Sequence, residues 1–165
     1  MSDLPFKWPV LGFGVDRGPW SDFLVSFSNA DEFNRCVGDS LAKGYRMGMV
    51  LVDSSAASWE ITAIRKFEAL GPLWLRILRI LTRQPVYRIG VDFVDREPMP
   101  LPLVKERVVA TMEAQSHLWV DDEGVAGEAG PPVSERKRLD KLQDRVRRSR
   151  NLSGVIKNAE VEVAE

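Results

Sequence analysis

The stretch MGMVLVD (47–53) is an unbroken apolar run ending in an acid, and WEITAIRKF (59–67) follows it after five small residues, SSAAS. A continuous run of this kind predicts a strand buried on both faces, at the centre of a sheet. The second run alternates. Trp59, Ile61 and Ala63 point one way and Glu60, Thr62 and Ile64 the other, the pattern of a strand with one face on a core. Two strands joined by a short loop of small residues make a hairpin. Asp53 with Ser54 can close its turn, side-chain oxygen to backbone amide.

Upstream, VLGFGV (10–15) and DFLVSFS (22–28) flank DRGPWS, whose Gly18-Pro19 pair punctuates a turn, so a first hairpin is expected there. SNADEFNRCVGDSLAKG (28–44) predicts one helix. Ser28 or Asn29 supplies its N-cap, Asp31 and Glu32 sit where the helix dipole favours negative charge, and Gly44 is its stop. Phe33, Val37 and Leu41 fall four apart on one face, while Gly38 costs about 1 kcal/mol relative to alanine inside a helix.

Downstream, Pro72 and the stripe Trp74, Leu75, Leu78 and Leu81 predict a helix over 72–83. VYRIGVDFVD (86–95) predicts a strand with Tyr87, Ile89, Val91 and Phe93 on one face and Arg88, Gly90, Asp92 and Val94 on the other. The prolines of REPMPLP (96–102) bar it from a central strand or a helix interior. In VKERVVATMEAQ (104–115), Val104, Val108, Met112 and Gln115 recur at helical spacing. DDEGVAGEAGPPV (121–133) reads as an acidic linker, and SERKRLDKLQDRVRRSR (134–150) as a helix with Leu139, Leu142 and Val146 on a narrow stripe.

The expected architecture is α+β: a mixed, mainly antiparallel sheet of about five strands packed against helices. It divides into a globular part over 1–120, a linker over 121–133 and a basic helical tail over 134–165. At 44% hydrophobic and 28% charged residues the composition is that of a folded soluble chain. The most apolar stretch is broken by Arg76 and Arg79, well short of the ~20 residues a membrane span requires. No secretory start is visible in MSDLPFKWPVLGFG, and a cytoplasmic location is expected.

Much chemistry is barred by what the chain lacks. His117 is the sole histidine and Cys36 the sole cysteine, so one chain cannot assemble a His/Cys metal cluster. No glycine-flanked nucleophile serine accompanies His117, and no phosphate-binding P-loop is present. Gly12, Gly14 and Gly18 are spaced one residue too wide for a dinucleotide fingerprint. The residues call for no cofactor and name no catalytic group. Asp53, Ser54 and Ser55 have a ready role in a turn, and Cys36 lies beside Val37 on the apolar side of the expected helix.

Two binding surfaces remain. Asp92, Asp95 and Glu97 form an acidic group near the Pro-rich turn, with Asp92 and Asp95 on opposite faces of a regular strand. From Ser134 to Arg150, eight Lys or Arg stand against three acids, a local balance of +5 that leaves −6 for the remainder. Arg136, Lys137, Arg138, Lys141, Arg145, Arg147 and Arg148 could neutralise nucleic-acid phosphates. The same segment could equally dock on the acidic remainder of the molecule or on an acidic partner.

The segments RMGMVLVDSSAASWEITAIRKFEALGPLW, VYRIGVDFVDREPMPLPLVKERVVATMEAQSHLW and NLSGVIKNA together resemble a group of small bacterial α+β proteins similar to the immunity proteins of contact-dependent and polymorphic toxin systems. The likeness spans roughly 44–120 and, loosely, 149–160. Ala56 stands where a turn glycine is common in that group, and the acidic linker before the tail is an insertion. The resemblance implies a non-catalytic protein that neutralises a toxin domain by direct binding, without a cofactor. A basic partner would suit the acidic globular part, with Asp92, Asp95 and Glu97 as contacts.

Overall fold

A computed structural model describes residues 4–14, 23–69, 85–114 and 133–159, with the backbone alone at 39, 68 and 133–138. The Gly18-Pro19 turn, the helix expected over 72–83, His117 and the acidic linker lie outside the described residues. So do Gln115 and the end of the helix expected around it.

Both expected hairpins form. Strand β1 (Val10–Phe13) pairs antiparallel with β2 (Leu24–Phe27), and β4 (Val50–Asp53) pairs with β5 (Ser58–Ala69). β1 also lies against β4, Val10 opposite Asp53, which buries all four residues of each strand. β5 continues past β4 and runs with β6 (Val86–Arg96) as a long two-stranded ribbon.

The region 28–44 is where the structure departs from the expected helix. Asn29 does cap α1 (Ala30–Phe33), its side-chain oxygen accepting from the Glu32 amide, but the helix stops after one turn. β3 (Arg35–Val37) follows and pairs with the start of β6; α2 (Gly38–Ala42) is a separate short turn. The reason is tertiary. The Asn34 carbonyl accepts from the Ile89 amide, the Gly38 amide donates to the Pro85 carbonyl, and Arg46 takes the carbonyls of Phe33 and Arg35. Those acceptors are therefore unavailable to a continuous helix, and local propensity yields to sheet pairing. Gly38 marks the break, since a Cβ there would stand 2.9 Å from the Pro85 ring.

The sheet thus has six strands among the described residues, in the order β2-β1-β4-β5-β6-β3, with every pairing antiparallel. It curls, and its two edge strands, β2 and β3, line one cleft. One face carries an aromatic cluster in which Phe6 meets Phe33, Trp59 and Phe93 at ring-centroid distances of 5.3, 4.9 and 5.2 Å. The other face, built from Leu11, Phe13 and Val52, packs on α3 (Leu101–Ala114), α4 (Val133–Arg148) and α5 (Leu152–Ala159). Val104, Val108, Val146 and Val155 in this layer are wholly buried. Burying an apolar side chain of this kind stabilises by roughly 1.5–3 kcal/mol, so the basic helix is held by its stripe as part of the core.

Two irregularities in the β5–β6 register change which way side chains face. Ile61 lies opposite Phe93 and Ala63 opposite Asp92, so Thr62 is the extra residue of a bulge. Beyond it the alternation shifts, and Ile64, expected opposite Ile61, packs against the same cluster as Ile61.

Candidate functional site

The loop SSAAS is a turn. Asp53, 1% exposed, accepts at Oδ1 from the Ser55 amide (2.8 Å), the Ser55 hydroxyl (2.7 Å) and the Ala57 amide (3.2 Å). Its Oδ2 accepts from the Lys7 amide. Ser54 is engaged too, its hydroxyl donating to the carbonyls of Lys7 and Trp8. Both carboxylate oxygens and both serine hydroxyls are thereby committed to backbone and turn, with none presented as a nucleophile.

Cys36 is buried, its thiol 3.5 Å from the Val37 carbonyl. Burial pushes its pKa up and Arg46 partly opposes the shift, so the reactive thiolate is disfavoured at neutral pH. Among the described residues no three His, Cys, Asp or Glu side chains converge as metal ligands, and no helix is long and apolar enough to cross a membrane.

The acids of the ribbon take distinct positions. β6 is regular from Val91 to Arg96, so Asp92 and Asp95 project from opposite faces. Asp92 pairs with Arg65 at 2.5 Å, and on the same face Arg96 donates through Nε to Glu60 at 2.8 Å. Asp95 and Glu97 are exposed, and the Glu97 carbonyl accepts from the Ser58 hydroxyl. What unites Asp92 and Asp95 is the strand edge between them. β3 covers β6 only from Val86 to Arg88, and the Ile89 amide is taken by Asn34. Antiparallel alternation then turns the backbone groups of Val91, Phe93 and Asp95 outward, where no described residue pairs with them. Val94, 49% exposed, lies between the two acids.

No family model, curated protein or solved structure matches this chain. Function must be read from the surfaces themselves.

On α4, Lys141, Arg145 and Arg148 are exposed at spacings of four and three, hence on one side of the helix. Arg147 and Arg148 both approach Asp144, and the Arg147 carbonyl accepts from Lys105 of α3. The side chains of Arg136, Lys137 and Arg138 lie outside the described residues.

Sequence reasoning missed Arg46 and the cleft beside it. The cleft, about 420 Å³, lies between β2 and β3. Arg46 donates through Nη1 to the Phe33 carbonyl (2.5 Å) and through Nη2 to the Arg35 carbonyl (2.8 Å), while its guanidinium lies 4.8 Å from the Phe27 ring centre. The available signal was a lone cation in GYRMGMV, where the surrounding residues prepare a buried strand.

Proposed function

We propose that the chain is a non-catalytic protein-binding protein of the immunity type, which neutralises a toxin domain by direct binding. The observation that carries this reading is the outer edge of β6 from Val91 to Asp95, which no described residue pairs, with Asp92 and Asp95 on its two faces and Glu97 at its end. A partner strand added to this edge gains main-chain hydrogen bonds, and the acids select a basic partner by charge complementarity. Edge-on docking accounts for acids that no single face brings together. Occupation of a toxin's surface requires neither a cofactor nor a proton-handling group, in keeping with a loop whose Asp53, Ser54 and Ser55 are engaged in a turn.

The test is a pull-down from the native host with the wild-type chain and a triple charge reversal, Asp92→Lys, Asp95→Lys and Glu97→Lys. A co-purifying basic protein retained by wild type and lost by the variant supports the reading. Equal retention by both rejects the site.

A second reading, association with nucleic acid, is favoured by the aligned cations Lys141, Arg145 and Arg148 on the exposed side of α4. Reversing those three charges leaves Val146 and the core stripe in place. Loss of salt-sensitive DNA or RNA binding in that variant supports this reading, and absence of such binding by wild type at low salt rejects it.

A further inference from the structure

The cleft between the two sheet edges has a composition that its geometry does not by itself require. Its lining is mostly apolar, with Leu24 and Val25 of β2, Val37 of β3, Val86 and Met49, and it also carries two cations: Arg35, which is paired with Asp31, and Arg46, which stacks on Phe27. No acidic side chain lines it among the described residues. Arg46 uses one hydrogen on each of two nitrogens for backbone carbonyls, and its other three N–H donors bond to no described residue. It makes no ion pair with a described carboxylate: Glu32, whose charge acts on it through space, accepts instead from the Ser28 amide. Burial lowers the Arg46 pKa, with Cys36 and Glu32 opposing, which reflects the cost of holding this cation away from water. Two carbonyls and an aromatic face offset part of that cost, and a bound anion would supply the missing counter-charge.

An apolar trough in which Arg35 is already paired with Asp31 and Arg46 meets no described carboxylate suits a ligand with an aliphatic body and a single anionic head. A volume of about 420 Å³ lies within the range of small-molecule sites. We propose that the cleft binds a medium-chain aliphatic monocarboxylate, its carboxylate on Arg46 and its chain along Val25, Val37 and Val86. The site is separate from the β6 edge and does not depend on partner binding there.

Titration of the full chain with octanoate, followed by methyl NMR, tests this directly. Shifts are expected at Val25, Val37, Val86 and Met49. Octanol, the neutral analogue, should bind about tenfold or more weakly, because the charge-assisted bonds are lost. Arg46→Gln should abolish that preference. As Arg46 also holds two backbone carbonyls, Val37→Trp serves as a second variant, filling the cleft from an exposed edge position while leaving Arg46 in place; octanoate binding should disappear with helix resonances unchanged. Equal affinity for octanoate and octanol, shifts confined to other surfaces, no shift at millimolar octanoate, or octanoate binding that persists in a folded Val37→Trp protein would each overturn the proposal. The comparison of the two ligands on the wild-type chain decides the matter even where a variant fails to fold.

Discussion

The Lys7 backbone amide donates to Asp53 Oδ2 at 2.9 Å, tying the N-terminal segment to a hairpin turn 46 positions away. The other oxygen of the same carboxylate holds the turn itself. Asp53→Ala would leave three backbone amides without their acceptor, two of them in the turn. A loss of about 2–4 kcal/mol in urea unfolding is expected, since each stranded donor costs about 1–3 kcal/mol and water can reach some of them. Asp53→Asn retains one acceptor oxygen and should lose less. A change below about 0.5 kcal/mol for Asp53→Ala would show that the turn stands without this clamp.

Ala56 in that turn has φ +73°, a left-handed conformation that favours glycine. Ala56→Gly should therefore raise stability by about 0.5–1 kcal/mol, the relief of side-chain strain exceeding the extra entropy of a glycine in the unfolded chain. The melting temperature reads this. A fall would mean that the methyl contact with the helical layer outweighs the strain.

How far the fold is legible in the sequence varies with the range of the forces involved. The second hairpin, the strand read over 86–95 and the helix read from Val104 announce themselves, because alternation and turn residues act over a few positions, although that helix begins one turn earlier, at Leu101, with Pro102 in its first turn. The region 28–44 conceals β3, because what breaks its helix lies far away in Pro85, Ile89 and Arg46. The bulge at Thr62 is equally silent, and it re-aims Ile64. Of the candidate site, the acids are visible as residues, whereas the edge between Asp92 and Asp95 that no described residue pairs emerges only once β3 is seen to stop at Val37.

The α4 helix offers a sharp test of its role in the core. Val146 is wholly buried and shares a cluster with Val104, Val108 and Val155. Val146→Ala should cost about 2 kcal/mol in the same unfolding assay, from lost burial and the cavity left behind. Removal of residues 133–165 should give an insoluble chain, as it uncovers Val104, Val108 and Met112. A soluble truncated chain with native stability would show the helical layer to be dispensable.

Edge charges should behave otherwise. Arg65 and Asp92 are 66% and 46% exposed, and an ion pair so hydrated contributes about 0–1 kcal/mol. Asp92→Lys should shift the unfolding midpoint little, which makes it a clean probe of binding. Asp95→Pro is a stricter probe: the outward amide it deletes bonds to no described residue, and proline is tolerated at such edge positions. Partner binding lost with the fold retained is the expected result; a collapse of the fold would place the Asp95 amide within the ladder with β5.

Cys36 carries a pH dependence whose sign follows from its burial. The folded thiol has a pKa raised above its unfolded value, chiefly by burial, with Arg46 acting the other way. Its contribution to stability is fully present below the unfolded thiol pKa of about 8.5 and is lost as pH climbs from there through the folded pKa, because over that window the unfolded chain releases a proton that the folded chain retains. The urea midpoint should fall as pH rises above about 8.5, and in Cys36→Ala that part of the fall should vanish. Alkylation by iodoacetamide should be slow at pH 7 in the folded chain and rapid once urea unfolds it. Fast labelling of the native chain at neutral pH would mean that Arg46, not burial, governs this thiol.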